Sequence, residues 1–186
     1  MTSHAVMDEL KLPRLGQVGY VVTDLAKTMA YYRDTFRIRP WLLLDERPEP
    51  CFEGEKEVHP LLKIAMAYSG PVQLELIQVA EGESFHLRHL EQSKGGLHHL
   101  GFMVGDIDRR LDRCRRMGIG ILQRGTIRDI GFTVDYAYLD TFDRAGVILE
   151  LIQWRLGRMP VPVNRFVFNL QALVGAKTFL KGRVVT

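Results

Sequence analysis

The chain has 186 residues, 46% of them hydrophobic and 25% charged, the balance of an ordinary soluble globular protein. This excludes a disordered chain, a collagen-like repeat and a disulfide scaffold, and no apolar stretch approaches the roughly 20 residues of a membrane-spanning helix. A net charge of +3 with neutral histidines is too small to argue for nucleic acid, which requires a concentrated basic face.

The first segment, residues 1–12, lacks the apolar core of a secretory signal. Cys51 and Cys114 match no metal or disulfide spacing, so buried thiols in a reducing, cytoplasmic setting are expected. From Gln17, the alternation of Val18, Tyr20 and Val22 with Gln17, Gly19 and Val21 is strand spacing. Thr23-Asp24 then offers an N-cap, and Leu25, Met29, Tyr32 and Phe36 recur at helix spacing. A strand is expected near Trp41–Leu44, followed by a hairpin of Leu62–Tyr68 and Val72–Val79 about Ser69-Gly70-Pro71. Residues 81–94 read as a polar connector in which His86 and His89 are expected to be exposed.

The same series then recurs. A strand about His99 leads to Asp106 as helix cap, and Ile107, Leu111, Cys114 and Met117 form one stripe that stops at Gly118. Strands follow near Ile119–Arg124, Val134–Leu139 and Val147–Trp154, the last two about Asp143-Arg144-Ala145-Gly146. The recurrence is also literal. Leu-Glu-Leu-Ile-Gln stands at 74–78 and again at 149–153, and Gln17-Val-Gly-Tyr-Val-Val-Thr-Asp-Leu aligns with His99-Leu-Gly-Phe-Met-Val-Gly-Asp-Ile. Two matches in the same order point to an internal duplication. The expected architecture is α+β: one domain over 13–155, built from βαβββ repeats at 13–80 and 95–155, with residues 156–186 as a C-terminal extension.

This pattern, carried most specifically by GLHHLGFMV (96–104), GVILELIQW (146–154) and QVGYVVTDLAKTMAYYRDTF (17–36), resembles the vicinal oxygen chelate superfamily. That superfamily includes glyoxalase I, methylmalonyl-CoA epimerase, extradiol dioxygenases and bleomycin-resistance proteins. The resemblance covers about residues 13–155. It implies that the two units curl into a cupped mixed sheet with a metal in the cup, and that the protein is a homodimer.

Glu75 and Glu150 each lie between two leucines and face away from them. A solvent-face glutamate is the commoner meaning of that pattern, but Ile77 and Ile152 share those faces, and a carboxylate on a partly apolar face requires a partner. Gln17 and His99 hold equivalent places at the start of each unit's first strand. Packed about a pseudo-twofold axis, Gln17, Glu75, His99 and Glu150 form a mixed oxygen and nitrogen set suited to one divalent cation, whether zinc, nickel, cobalt, manganese or magnesium. In the resembling superfamily these positions are the metal ligands, and the set is similar to that of glyoxalase I. His98 must face the opposite side from His99 if both lie in one strand, and the resemblance implies that His99, the second histidine of the pair, is the ligand and His98 packing or support. The His-His pair itself is similar to methylmalonyl-CoA epimerases.

The arginines between Arg109 and Arg116 alternate with Asp108 and Asp112, the pattern of a solvated helix face rather than a phosphate site. No Gly-rich phosphate loop or serine elbow is present. A divalent ion with open positions holds two vicinal substrate oxygens and stabilises an enediolate as charge develops on them. A carboxylate beside it moves the proton next to the carbonyl, with Glu150 first in line as base and Glu75 second. The resemblance thus implies a metal-dependent epimerase or lyase acting on an acyl-CoA thioester, as in methylmalonyl-CoA epimerase, or on a glutathione hemithioacetal, as in a glyoxalase I-like lactoylglutathione lyase. An extradiol-type dioxygenase is disfavoured by Gln17 where a histidine would stand, and a metal-free drug-binding protein by four competent side chains. The epimerase's second base falls among Glu46, Glu49, Glu53, Glu55 and Glu57. The apolar extension is expected to dock over the cup or a neighbouring subunit through residues 164–174.

Overall fold

The computed structural model describes residues 10–128, 132–161 and 183–186. The first unit opens with β1 (Gln17–Val21), in which buried and half-buried residues alternate. α1 (Leu25–Phe36) follows, capped by Asp24, whose carboxylate accepts from the Lys27 amide at 2.9 Å. β2 (Trp41–Glu46), β3 (Cys51–Glu53), β4 (Lys56–Glu57), β5 (Leu61–Ser69) and β6 (Val72–Glu81) complete the unit, and α2 (Phe85–Ser93) leads out of it. The second unit comprises β7 (Gly96–Met103), α3 (Ile107–Arg116), β8 (Ile121–Arg128), β9 (Phe132–Leu139), the single turn α4 (Phe142–Ala145) and β10 (Ile148–Leu156). β11 (Met159–Pro160) and β12 (Arg183–Val185) come last.

The strands form one sheet in the order β12-β2-β5-β6-β1-β7-β10-β9-β8-β3-β4, with β11 beside β10. β1 runs parallel to β6, and β7 parallel to β10. At the centre β1 and β7 lie antiparallel, so the first strands of the two units form the seam. The result is the expected α+β fold, a curled mixed sheet.

Each strand divides its residues between two sides. Leu76, Ala65 and Ala67 pack beneath Leu25 and Met29 of α1, while Ile77, Ile64 and Met66 face a separate cluster inside the curl. Likewise Leu149 and Leu151 meet Ile107, Leu111 and Cys114 of α3, which puts Glu150 and Ile152 on the inner side. Burying a residue such as Leu25 or Leu111 stabilises the fold by about 1.5–3 kcal/mol. The repeated pentapeptide also ends in a shared device. Gln78 accepts from the Leu25 amide at 2.8 Å and Gln153 from the Ile107 amide at 2.7 Å. Each glutamine thus satisfies an otherwise orphan donor of the helix beside it. Asp106, expected to cap α3, makes no side-chain cap and instead accepts from Arg110 at 2.5 Å.

Three expectations change. The connector is not an exposed loop: Ser84 caps α2, and its face of Phe85 and His86 is buried. β3 was not expected: it is three residues long and lies between β4, its hairpin partner, and β8 of the other unit. The turn before β10 closes as a helical turn ended by Gly146 at φ 70°. In the extension, β11 pairs with β10 and β12 with β2, whereas residues 164–174 lie outside the described residues.

Candidate metal centre

The seam brings the four expected positions together. Gln17 pairs across it with Gly101, and His99 with Gly19. A methyl group on Gly19 would lie 1.8–2.4 Å from three atoms of the His99 ring, and one on Gly101 would lie 2.7 Å from Gln17 Oε1. Each repeat therefore supplies one polar side chain and the bare glycine over which the other repeat's side chain lies. From β6 and β10, Glu75 and Glu150 approach the same point. His99 Nε2 is 3.3 Å from Glu75, 3.1 Å from Glu150 and 3.4 Å from Gln17 Oε1. Gln17 is held by donating its amide to Gln73 Oε1 at 2.9 Å.

All four side chains are buried. Burial alone would lower the His99 pKa, but Glu150 and then Glu75 outweigh it and raise it to about 9. The imidazolium thus takes the place of a cation between two carboxylates. Burial raises the Glu150 pKa against the opposing pull of His99, and the Tyr138 hydroxyl hydrogen-bonds to the same carboxylate.

The cluster fits a divalent ion on its own evidence. One ligand atom each from Glu75, His99 and Glu150 lies within 4.8 Å of the others. Glu150 Oε2 is buried with no aligned hydrogen-bond donor, although His99 Nε2 is near. One imidazole, two carboxylates and an amide oxygen form a donor set suited to such an ion.

His98 does not face away from His99. The β1–β7 register passes from Gly19↔His99 to Tyr20↔Leu97, leaving His98 as the extra residue of a β-bulge. The bulge cancels strict alternation, so both rings pack against Tyr138. His98 Nδ1 is 3.0 Å from His99 Nδ1, where the neutral ring accepts the His99 N–H. Such a partner fixes which nitrogen of a histidine remains free for a ligand. Behind His98 stand Phe85, His86 and His89. His86 is fully buried, bonded through Nδ1 to Ser84 Oγ at 2.7 Å, and burial lowers its pKa to about 3. The reading of His86 and His89 as exposed fails because Phe85, His86, His89 and Leu90 share one helical face, which Ser84 announces as an N-cap.

The curl opens into a cup whose lining includes Gln17, Glu75 and Glu150. Glu46 is the remaining carboxylate in that lining. Glu53 is committed elsewhere, accepting from the Phe85 amide, Arg88 and Gln123. Among the described residues, no helix is long and apolar enough to cross a membrane.

A family model described as the glyoxalase/bleomycin resistance protein/dioxygenase superfamily matches residues 16–138. The chain belongs to this superfamily. A hypothetical protein from Bacillus halodurans C-125 is similar in structure, at 21% identity and a TM-score of 0.54, covering 75% of this chain and 92% of that one. Methylmalonyl-CoA epimerase from Mycobacterium tuberculosis is similar at 20% identity and 0.53, over 76% and 87%. A Streptomyces coelicolor methylmalonyl-CoA epimerase variant in complex with 2-nitronate-propionyl-CoA is similar at 23% identity and 0.52, over 76% and 96%. At these identities the likeness is one of fold. No curated protein matches the chain.

Proposed function

We propose that the protein is a metal-dependent isomerase or lyase that moves a proton on the carbon next to a carbonyl, with an acyl-CoA thioester as the favoured substrate class. The observation that carries this reading is the meeting of Glu75, His99 and Glu150 at the floor of a cup. Gln17, Glu75, His99 and Glu150 would hold the ion. A divalent ion there supplies positive charge to two vicinal substrate oxygens as the proton leaves.

The chain's own groups do the rest. Glu150, buried and lining the cup, takes the proton as a carboxylate positioned beside the substrate. Glu75 is second in line. Glu46, on β2 in the other unit's arm of the sheet, lines the cup and is the carboxylate placed to return a proton from another direction, as an epimerase requires. The narrowing from five glutamates to Glu46 rests on its place in the cup lining. His98 orients His99, and the buried wall excludes water. Epimerase neighbours, one of them in complex with methylmalonyl-CoA, favour a thioester over a hemithioacetal. The buried free thiols of Cys51 and Cys114 suit a cytoplasmic enzyme.

A metal-free small-molecule binder is the second reading, favoured by the apolar side chains that line the cup, Ile64, Met66, Ile77 and Ile152 among them. Metal analysis of purified protein separates the two, together with solvent-deuterium exchange into methylmalonyl-CoA. One divalent ion per chain, lost in His99→Ala, and exchange abolished in Glu150→Gln are expected. A metal-free native protein, or His99→Ala with unchanged metal content, refutes the enzyme reading.

A further inference from the structure

The outer side of the second unit carries a charged groove that the metal centre does not use. Gln153 and Arg155 continue the row of Leu149 and Leu151 along β10, so they stand on the side of the sheet that α3 covers, opposite the cup. Asp135 continues the row of Ala137 and Leu139 on β9 in the same way. On β8, Thr126 pairs with Asp135 and Arg124 with Ala137. Between α3 and β3 this surface stays open as a groove, with Ile107 and Leu111 on one side and Phe52 on the other.

Among the described residues, Arg124, Arg155 and Arg158 line the groove against Asp108 and Asp135. Asp135 is fully engaged by its neighbours. One oxygen accepts Arg155 Nε at 2.7 Å and Nη2 at 2.6 Å, and the other accepts Thr126 Oγ1 at 2.9 Å. That clamp fixes Arg155, whose side chain is 31% exposed. The Arg124 guanidinium lies 5.7 Å from the centre of the Phe52 ring, and Arg158 stands in the turn between β10 and β11. Both are exposed, and among the described residues neither forms an ion pair. Asp108, in the first turn of α3, is the remaining carboxylate. The groove is therefore net positive, and a concave site concentrates the field of its charges.

The spacing selects the anion. β8 and β10 flank β9, about 10 Å apart. Arg124 is level with Ala137 and Arg155 with Thr133, four residues apart on β9, or about 13 Å along the strand. Arg158 follows Arg155 closely in the chain, so one end of the groove holds Arg155 and Arg158 and the other Arg124. A single small anion fits one end and leaves the other unmet. We propose that this groove binds a ligand with two phosphate groups set apart by a spacer, as on a nucleoside bisphosphate, one phosphate at Arg124 and one at Arg158. The guanidinium fork matches phosphate oxygens in pairs. The same chemistry occurs at the nucleotide end of an acyl-CoA and on free nucleotides. Groove and cup lie on opposite sides of the sheet, so the proposal stands without the metal-enzyme reading.

Calorimetric titration of the full chain provides the test. Adenosine 3′,5′-bisphosphate is expected to bind one to one and at least tenfold more tightly than adenosine 5′-monophosphate. Arg124→Gln and Arg158→Gln, both at exposed positions, should each reduce the bisphosphate to the level of the monophosphate. Arg109→Gln, on α3 and outside the groove lining, and His99→Ala should leave its affinity unchanged. Equal binding of the two nucleotides overturns the proposal. So does an equal loss in Arg109→Gln, which marks general surface charge, or a loss confined to His99→Ala, which marks binding in the cup. Competition with CoA then separates the sources. Displacement of the bisphosphate identifies the coenzyme's own nucleotide end as the occupant, and simultaneous binding identifies a separate phosphorylated ligand; either result upholds the groove.

Discussion

Gly19→Ala tests the seam with one added carbon. The new methyl would lie 1.8 Å from His99 Cε1, 2.1 Å from Nε2 and 2.4 Å from Nδ1, where ordinary contact begins near 3.4 Å. The imidazole must therefore move by about 1.5 Å, and it has no free direction. Tyr138 meets it edge-on at 5.1 Å between centroids, His98 Nδ1 is 3.0 Å away, and the ring is 0% exposed. Gly19 has no positive φ, so the cost is steric. Overpacking of this kind costs about 1–3 kcal/mol, and each kcal/mol lowers Tm by about 2–4 °C in a chain of this size. A ligand nitrogen displaced by more than an ångström also leaves the roughly 0.2 Å tolerance of a coordination bond, so metal affinity should fall at least 100-fold. Urea melts and metal content, measured beside Gly105→Ala, provide the assay. Gly105 is the control because, among the described residues, a methyl there meets only Pro160 Cβ at 3.9 Å. If Gly19→Ala keeps both the wild-type midpoint and the wild-type metal content, the reciprocal glycine argument is wrong.

Further tests address charge, capping and the sheet edge. His86 has a pKa lowered to about 3 by burial, so its contribution to stability is complete above the unfolded value near 6.5 and is lost as pH falls toward 3. Between pH 8 and pH 5 this amounts to about 2 kcal/mol, measurable by denaturant titration, and His86→Phe should flatten that acid limb. An acid limb unchanged by His86→Phe would contradict a neutral buried ring. Gln153→Ala frees the Ile107 amide and should cost about 1 kcal/mol, with Gln78→Ala costing the same at Leu25; melts within error of wild type would show that water replaces both caps. Ending the chain at residue 182 removes β12 and exposes the edge of β2, which should promote self-association. Light scattering that finds an unchanged oligomeric state would argue against this.

The repeat was the legible part. Period and duplication foretold both units, because Leu74 and Leu76 or Leu149 and Leu151 must cover a helix while Glu75 and Glu150 face the other way. What escaped was non-local or irregular. β3 joins β4 in a short hairpin and also pairs with β8 of the other unit, and no pattern within Cys51–Glu53 announces that distant pairing. His98 was misplaced because strict alternation holds only in an unbroken ladder, and a bulge is visible only once both strands are paired. Two signals were present but unused. Gly19 and Gly101 sit two residues after Gln17 and His99 in both repeats, and the final glutamine of the pentapeptide recurs with its helix. Ser84, before the Phe85-His86 and His89-Leu90 spacing, likewise gave warning of α2.

The antiparallel pairing of β1 with β7 makes the site a report on assembly. Gln17 and Glu75 come from one half of the chain, His99 and Glu150 from the other, and each half lends the glycine beneath the other's side chain. Separated fragments split within α2 would each hold half of the donor set, and docking of the two alone would restore it. Whatever cation sits between the carboxylates, proton or metal, bridges both halves and so resists their separation. Its removal should first loosen the amides of β1 and β7, leaving α1 and α3 protected by their own halves. Hydrogen exchange along the chain would register that order of release.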